Sequence, residues 1–123
     1  MLAHGWMGGS GERNGWLLET VQQATDGFKD MDGGGNTGYR LRDYLFKARV
    51  QTGNEAIYYQ ELEFKAVAGE HIGDETYLGL TLEDFRRSPY RRYAASQRDR
   101  IDTEHAQYSL RHFIELSDSL DIT

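Results

Sequence analysis

The chain has 123 residues, a mass of 14.1 kDa and a formal net charge of −6, which points to one domain and argues against a strongly basic nucleic-acid binder. It contains no cysteine, which excludes disulfides, thiolate metal sites and cysteine nucleophiles and fits a reducing compartment. No apolar run approaches the roughly 20 residues of a membrane helix, and no basic start followed by an apolar core marks a secretory signal. The expectation is a soluble intracellular protein, not secreted and with no membrane partner.

In chain order, residues 1–14 are glycine-rich and carry Trp6 and Met7, and they read as a flexible arm. Residues 15–123 read as one α+β domain. Leu17, Val21, Ala24 and Phe28 recur at helical spacing, so residues 15–26 read as an amphipathic helix with Asn14 as N-cap and Gly27 just past its end. Residues 30–38 look superficially like a calcium loop through Asp30 and Asp32. Gly34 and Leu41 stand where that loop needs further ligands, so the stretch reads as a loop before a strand.

Tyr39–Gln51 reads as a strand, residues 52–55 as a turn, and residues 56–68 as a second strand. In the second strand Tyr58, Leu62, Phe64 and Ala66 share one face, and Tyr59, Glu61, Glu63 and Lys65 the other. After a turn bounded by Gly69 and Gly73, Leu78, Leu80 and Leu82 alternate with Tyr77, Gly79 and Thr81 as a third strand. Leu82–Arg87 and residues 89–98 read as short helical pieces separated at Ser88-Pro89. Ala106, Leu110, Phe113, Ile114 and Leu120 form the apolar stripe of a final helix, with Asp102 or Thr103 as N-cap. The expected architecture is therefore an antiparallel β-meander, partly OB-like, with an N-terminal helix and C-terminal helices packed on the sheet.

Two constellations carry possible chemistry. The first is a surface of arginines and tyrosines: Arg40, Arg42 and Tyr44, then Tyr59 and Lys65, then Arg86, Arg87, Tyr90, Arg91, Arg92 and Tyr93. Unpaired nucleic acid needs rings for its bases to stack on and cations for its phosphates. The second is Asp43 with Glu63 and Lys65, with Glu19 as a further ligand. Carboxylates and a lysine at this spacing make the minimal site of a PD-(D/E)xK-like nuclease, which would use Mg²⁺. The histidines form no recognisable site, and no metal ligand set or cofactor is expected outside that nuclease alternative.

Residues 53–82 read GNEAIYYQELEFKAVAGEHIGDETYLGLTL. This stretch resembles the centre of phage proteins of the DUF669 type. They share a Gly-Asn turn, a long strand ending in Phe-x-Val, a Gly-Glu-x-x-Gly turn and a strand ending in Thr-Leu. Tyr39, Arg40 and Leu41 after Gly38 correspond to the start of that module, and the resemblance covers residues 37–120. The family is similar to OB-fold single-stranded DNA-binding proteins. The resemblance implies a non-catalytic accessory protein of phage DNA replication and recombination in the cytoplasm of a bacterial host, with single-stranded DNA as partner. A virion component or an acidic interaction or inhibitor protein, acting as a homo-oligomer or with a protein partner, is the remaining alternative and suits the charge of −6.

Overall fold

The computed structural model describes all residues except Asn54, Asp118 and Ser119. Its strands are β1 (Leu2–Ser10), β2 (Asn14–Thr25), β3 (Asp30–Met31), β4 (Tyr39–Gln51), β5 (Tyr59–Gly73), β6 (Arg91–Arg92), β7 (Ile101–Ser117) and β8 (Leu120–Ile122). One α-helix, α1 (Leu82–Arg87), and a 3₁₀ turn (Ala94–Ser96) complete the regular structure of the described residues.

The α+β expectation is overturned, because the described residues are mostly antiparallel β-sheet, 61% strand against 8% helical. The expected N-terminal helix is β2. Its Trp16, Thr20, Val21 and Thr25 are aromatic and β-branched residues that favour a pleated surface. The expected C-terminal helix is β7. Ala106, Leu110 and Ile114 are spaced by four, which suits both a helical face and every second pair of strand positions. Tyr108, two residues from both Ala106 and Leu110, is the strand-specific member of that series. Residues 118 and 119 of the expected helix, and Asn54 of the expected turn, lie outside the described residues.

The third strand is also corrected. β5 runs straight through Gly69 to Gly73, and neither glycine has a positive φ. Residues 77–81 follow as irregular chain. The stretch expected to be helical at 89–98 holds β6 and the 3₁₀ turn instead. Leu2–Ser10, read as an arm, forms β1. Helix α1 occupies the residues its pattern indicates. Thr81 caps it by accepting from the Asp84 amide, Glu83 and Asp84 occupy its first turn, and Arg86 and Arg87 its last.

The large sheet has the order β1-β2-β4-β5-β7-β8, so each strand lies beside its sequence neighbour within that sheet. In an antiparallel meander alternate strands reverse, and the links β2→β4 and β5→β7 therefore leave from the same end. Each link carries one short strand, β3 or β6, and these pair in parallel, Asp30 with Arg91 and Met31 with Arg92. By contacts the chain divides into two units. The first comprises Met1–Ala3, Gln22–Arg42 and Glu70–Glu104, and so holds both links. The second comprises His4–Val21, Asp43–Gly69 and His105–Thr123, and among its described residues it holds only sheet strands and their turns.

The first unit has a small interior made of Met31, Arg92 and Ser96. Its loop 26–38 turns on Gly27, Gly33, Gly34 and Gly35, all at positive φ. Gly38 is required for a different reason. A Cβ there would overlap the Thr25 carbonyl oxygen and lie 2.5 Å from the Thr25 carbonyl carbon and 2.6 Å from that of Asp26. All three are backbone atoms that cannot swing aside. Gly38→Ala is therefore expected to lower stability in urea unfolding by about 3 kcal/mol. Gly79→Ala, which meets nothing within 4 Å, is expected to change it by less than about 0.5 kcal/mol. Equal effects at the two sites would contradict the steric account.

Candidate functional site: an uncovered sheet face

The arginine segment is placed by carboxylates. Arg91 donates from Nε to both oxygens of Asp32, at 3.0 and 3.1 Å, and from Nη1 to Asp84 Oδ1 at 2.8 Å. Its guanidinium also lies over the Tyr93 ring, 5.0 Å from the centroid. The bond to Asp32 is the main reason its pKa is raised. Asp84 in turn accepts from the Tyr93 hydroxyl at 2.6 Å, and that bond, ahead of those from Thr81 and the charge of Arg91, holds its carboxyl below the usual range.

Arg92 is only 3% exposed. It donates to Ser96 Oγ at 3.0 Å, to the Ser96 carbonyl at 2.7 Å, to the Asp99 carbonyl at 3.3 Å and to the Asp74 carbonyl. All its acceptors are neutral, and it fastens the β5→β7 link to itself.

The other nucleic-acid candidates are dispersed. Arg87 pairs with Glu83 at 2.8 Å within α1, and Arg42 with Glu70 at 3.6 Å. Arg40 and Arg86 are exposed and stand outside the ion pairs of the described residues. Tyr90 is exposed and packs edge-on against Phe28, centroids 6.0 Å apart. Tyr59 and Lys65 belong to the second unit. The Tyr59 hydroxyl donates to Glu61 at 3.2 Å, and burial and then Glu61 raise its pKa.

The nuclease residues are not brought together. Asp43 and His105 both crowd over Gly69, which a side chain there would meet first. Glu63 is six residues along β5 from Gly69, roughly 20 Å at 3.3 Å per residue, and lines a hollow with Lys47 and Arg49. Glu19 contacts His4 at 2.8 Å. No three histidine or acidic residues gather as a metal-holding group among the described residues. The approach of His105 to Asp43 escapes sequence reading because Gly69 there resembles a turn.

The dominant feature lies in the sheet of the second unit. Contacts between Phe46 and Phe64, Arg49 and Glu61, Tyr59 and Phe113, and His112 and Gln60 establish which side chains share a face. A Cβ at Gly9 would meet the Trp16 ring and one at Gly5 would meet Thr20, which places β1. A shallow hollow of about 270 Å³ brings Met7, Leu18 and Tyr44 together. With side chains alternating along each strand, every charged strand residue among the described residues of this unit falls on one face: Glu19, Asp43, Lys47, Arg49, Glu61, Glu63, Lys65, Arg111, Glu115 and Asp121. Leu17, Val21, Leu45, Val67 and Phe113 lie among them.

Among the described residues the opposite face has no Asp, Glu, Lys or Arg. It presents Met7, Trp16, Leu18, Tyr44, Phe46, Val50, Leu62, Phe64, Tyr108, Leu110, Ile114 and Ile122, with Asn14, Gln60, Thr20 and His112 as its polar members. Burial runs opposite to what a lone soluble sheet requires. Along β4, Asp43, Leu45 and Lys47 of the charged face are half-buried while Tyr44 and Phe46 are exposed. On β7, Tyr108 and Leu110 are 71% and 67% exposed. No described residue of this unit is buried. Among the described residues, no helix is long and apolar enough to cross a membrane. No family model, no curated protein and no solved structure matches the chain.

The Asp84 contacts give a pH dependence with a definite sign. Its folded pKa lies below the unfolded value, so its stabilisation is complete above the unfolded pKa of roughly 4 and is lost as pH falls through the folded one. Wild type is expected to melt above Asp84→Asn at pH 7, with the gap closing between about pH 5 and pH 2. Thermal melts of both proteins across that range check it, and parallel curves would contradict it.

Proposed function

We propose that this chain is a non-catalytic assembly protein that acts by burying the charge-free face of its second unit against another protein surface. One observation carries the reading. Among the described residues of that unit, all charged strand residues lie on one face and none on the other, and no residue among them covers the charge-free face. Exposed apolar patches of more than a few hundred Å² mark interaction sites. The reading belongs to the interaction-protein class that the acidic charge favours, and a chain without cysteine suits the cytoplasm of a bacterial host.

Phe46→Lys with Leu110→Lys places charge on the face at two side chains already exposed. Wild type is expected either to assemble or to bind an apolar dye such as ANS. The double variant is expected to lose that behaviour at least tenfold while keeping its β-type circular dichroism. A wild-type chain that stays monomeric and takes up no dye would overturn the reading.

A second reading, single-stranded DNA binding, is supported by the first unit. Phe28 and Tyr90 form an exposed edge-on pair beside Lys29, and Arg86 supplies an exposed cation elsewhere in the same unit. Bases stack on such rings with roughly 1–3 kcal/mol each. Salt-sensitive binding to oligo-dT, weakened about tenfold or more by Phe28→Ala with Tyr90→Ala, is the expected result. No shift at low salt would remove this reading. Arg91→Ala is a poor probe, because it also breaks the contacts to Asp32 and Asp84.

A further inference from the structure

We infer that the surface covering the charge-free face is the same face of a second copy of this chain, giving a two-fold sandwich of two sheets. The inference rests on the assembly reading above and names its partner.

Area supports it first. The exposed large side chains of the face, Met7, Trp16, Tyr44, Phe46, Tyr108 and Leu110 among them, are 37% to 71% exposed. At about 150–250 Å² per large side chain, the face offers roughly 900 Å² per copy, above the ~800 Å² per partner of a standard interface.

Charge supports it second. A two-fold contact sets one patch against itself, so any charge on the patch meets its own kind near the axis. A chain of net charge −6 associates with itself most readily through a surface free of charge, and this face is such a surface. Alanines at 48, 66 and 106 lie between the large side chains, which lets two copies interdigitate as facing sheets do at about 10 Å separation. A foreign partner would more naturally be steered by complementary charge, and here the charges lie on the other side. A bilayer is a poorer cover, since β1 and β8 are open edges whose backbone groups hydrocarbon cannot satisfy.

Light scattering on a sizing column, with sedimentation equilibrium, reads the mass of the full chain. The expected value is twice 14.1 kDa at micromolar concentration. Leu110→Lys should weaken dimerisation at least thirtyfold, the loss typical of a hot spot, while Gln107→Lys on the charged face leaves it unchanged. Because the chain lacks cysteine, Leu110→Cys should be shielded from maleimide in the dimer and Gln107→Cys should label freely. A wild-type monomer that binds ANS through this face, or floats with phosphatidylcholine vesicles, would overturn the second copy as occupant and leave the apolar face in search of another cover. A monomer that does neither would overturn the assembly reading as well. A dimer that shields Gln107→Cys from maleimide and that Leu110→Lys leaves intact would assign the contact to the charged face and overturn both.

Discussion

A β-strand sends successive side chains to opposite faces, and a single sheet has nothing on either face unless some other element lies there. That constraint governs the second unit. Among its described residues there is no helix or second sheet to pack on it, so their apolar side chains can be hidden only by something from outside them. The side chains have been segregated as if a cover were present. Glu61, Glu63 and Lys65 alternate with Leu62, Phe64 and Ala66 along β5, and the same segregation recurs on β4 and β7. Random placement would scatter charge over both faces.

The first unit solves the same problem differently. Pairing β3 with β6 sets Met31 beside Arg92. The interior then depends on polar rather than apolar contacts. Arg92 reaches one hydroxyl and three carbonyl oxygens, and every buried side-chain polar atom of the described residues has a partner. Outside it, Arg91 joins Asp32 of one link to Asp84 of the other. Two arginines of the segment that from sequence looks like a phosphate-binding track, Arg91 and Arg92, thus hold the links. With 20 acidic residues against 14 basic ones, a carboxylate is seldom far from any arginine.

Some of this was legible in the sequence. The alternation read over residues 56–68 gave the two faces from Tyr59 onward, while Tyr58 lies outside β5, and the short helical piece read at Leu82–Arg87 is α1. The misreadings share a cause. A spacing of four residues fits a helix and a strand alike, so Ala106, Leu110 and Ile114 could not choose between them. Only Tyr108 between them distinguishes the two. Gly69 and Gly73 resembled the ends of a turn, whereas Gly69 serves to make room for Asp43 and His105 from neighbouring strands. The candidate face was visible on β5 alone. Its extent required knowing that β2 and β7 are strands, because a helix distributes the same residues around a cylinder.

The segregation of charge also bears on how the gene can change. Along these strands, inserting or deleting one codon would exchange the faces for every residue beyond it. In β4 or β5 such a change would turn lysine and glutamate toward the apolar side and phenylalanine toward the charged one. Substitutions at single positions are mild by comparison, since most side chains of this unit are partly exposed. Length variation should therefore collect in the links 26–38 and 74–100, and the spacing of residues within the long strands should be held far more tightly than their identities.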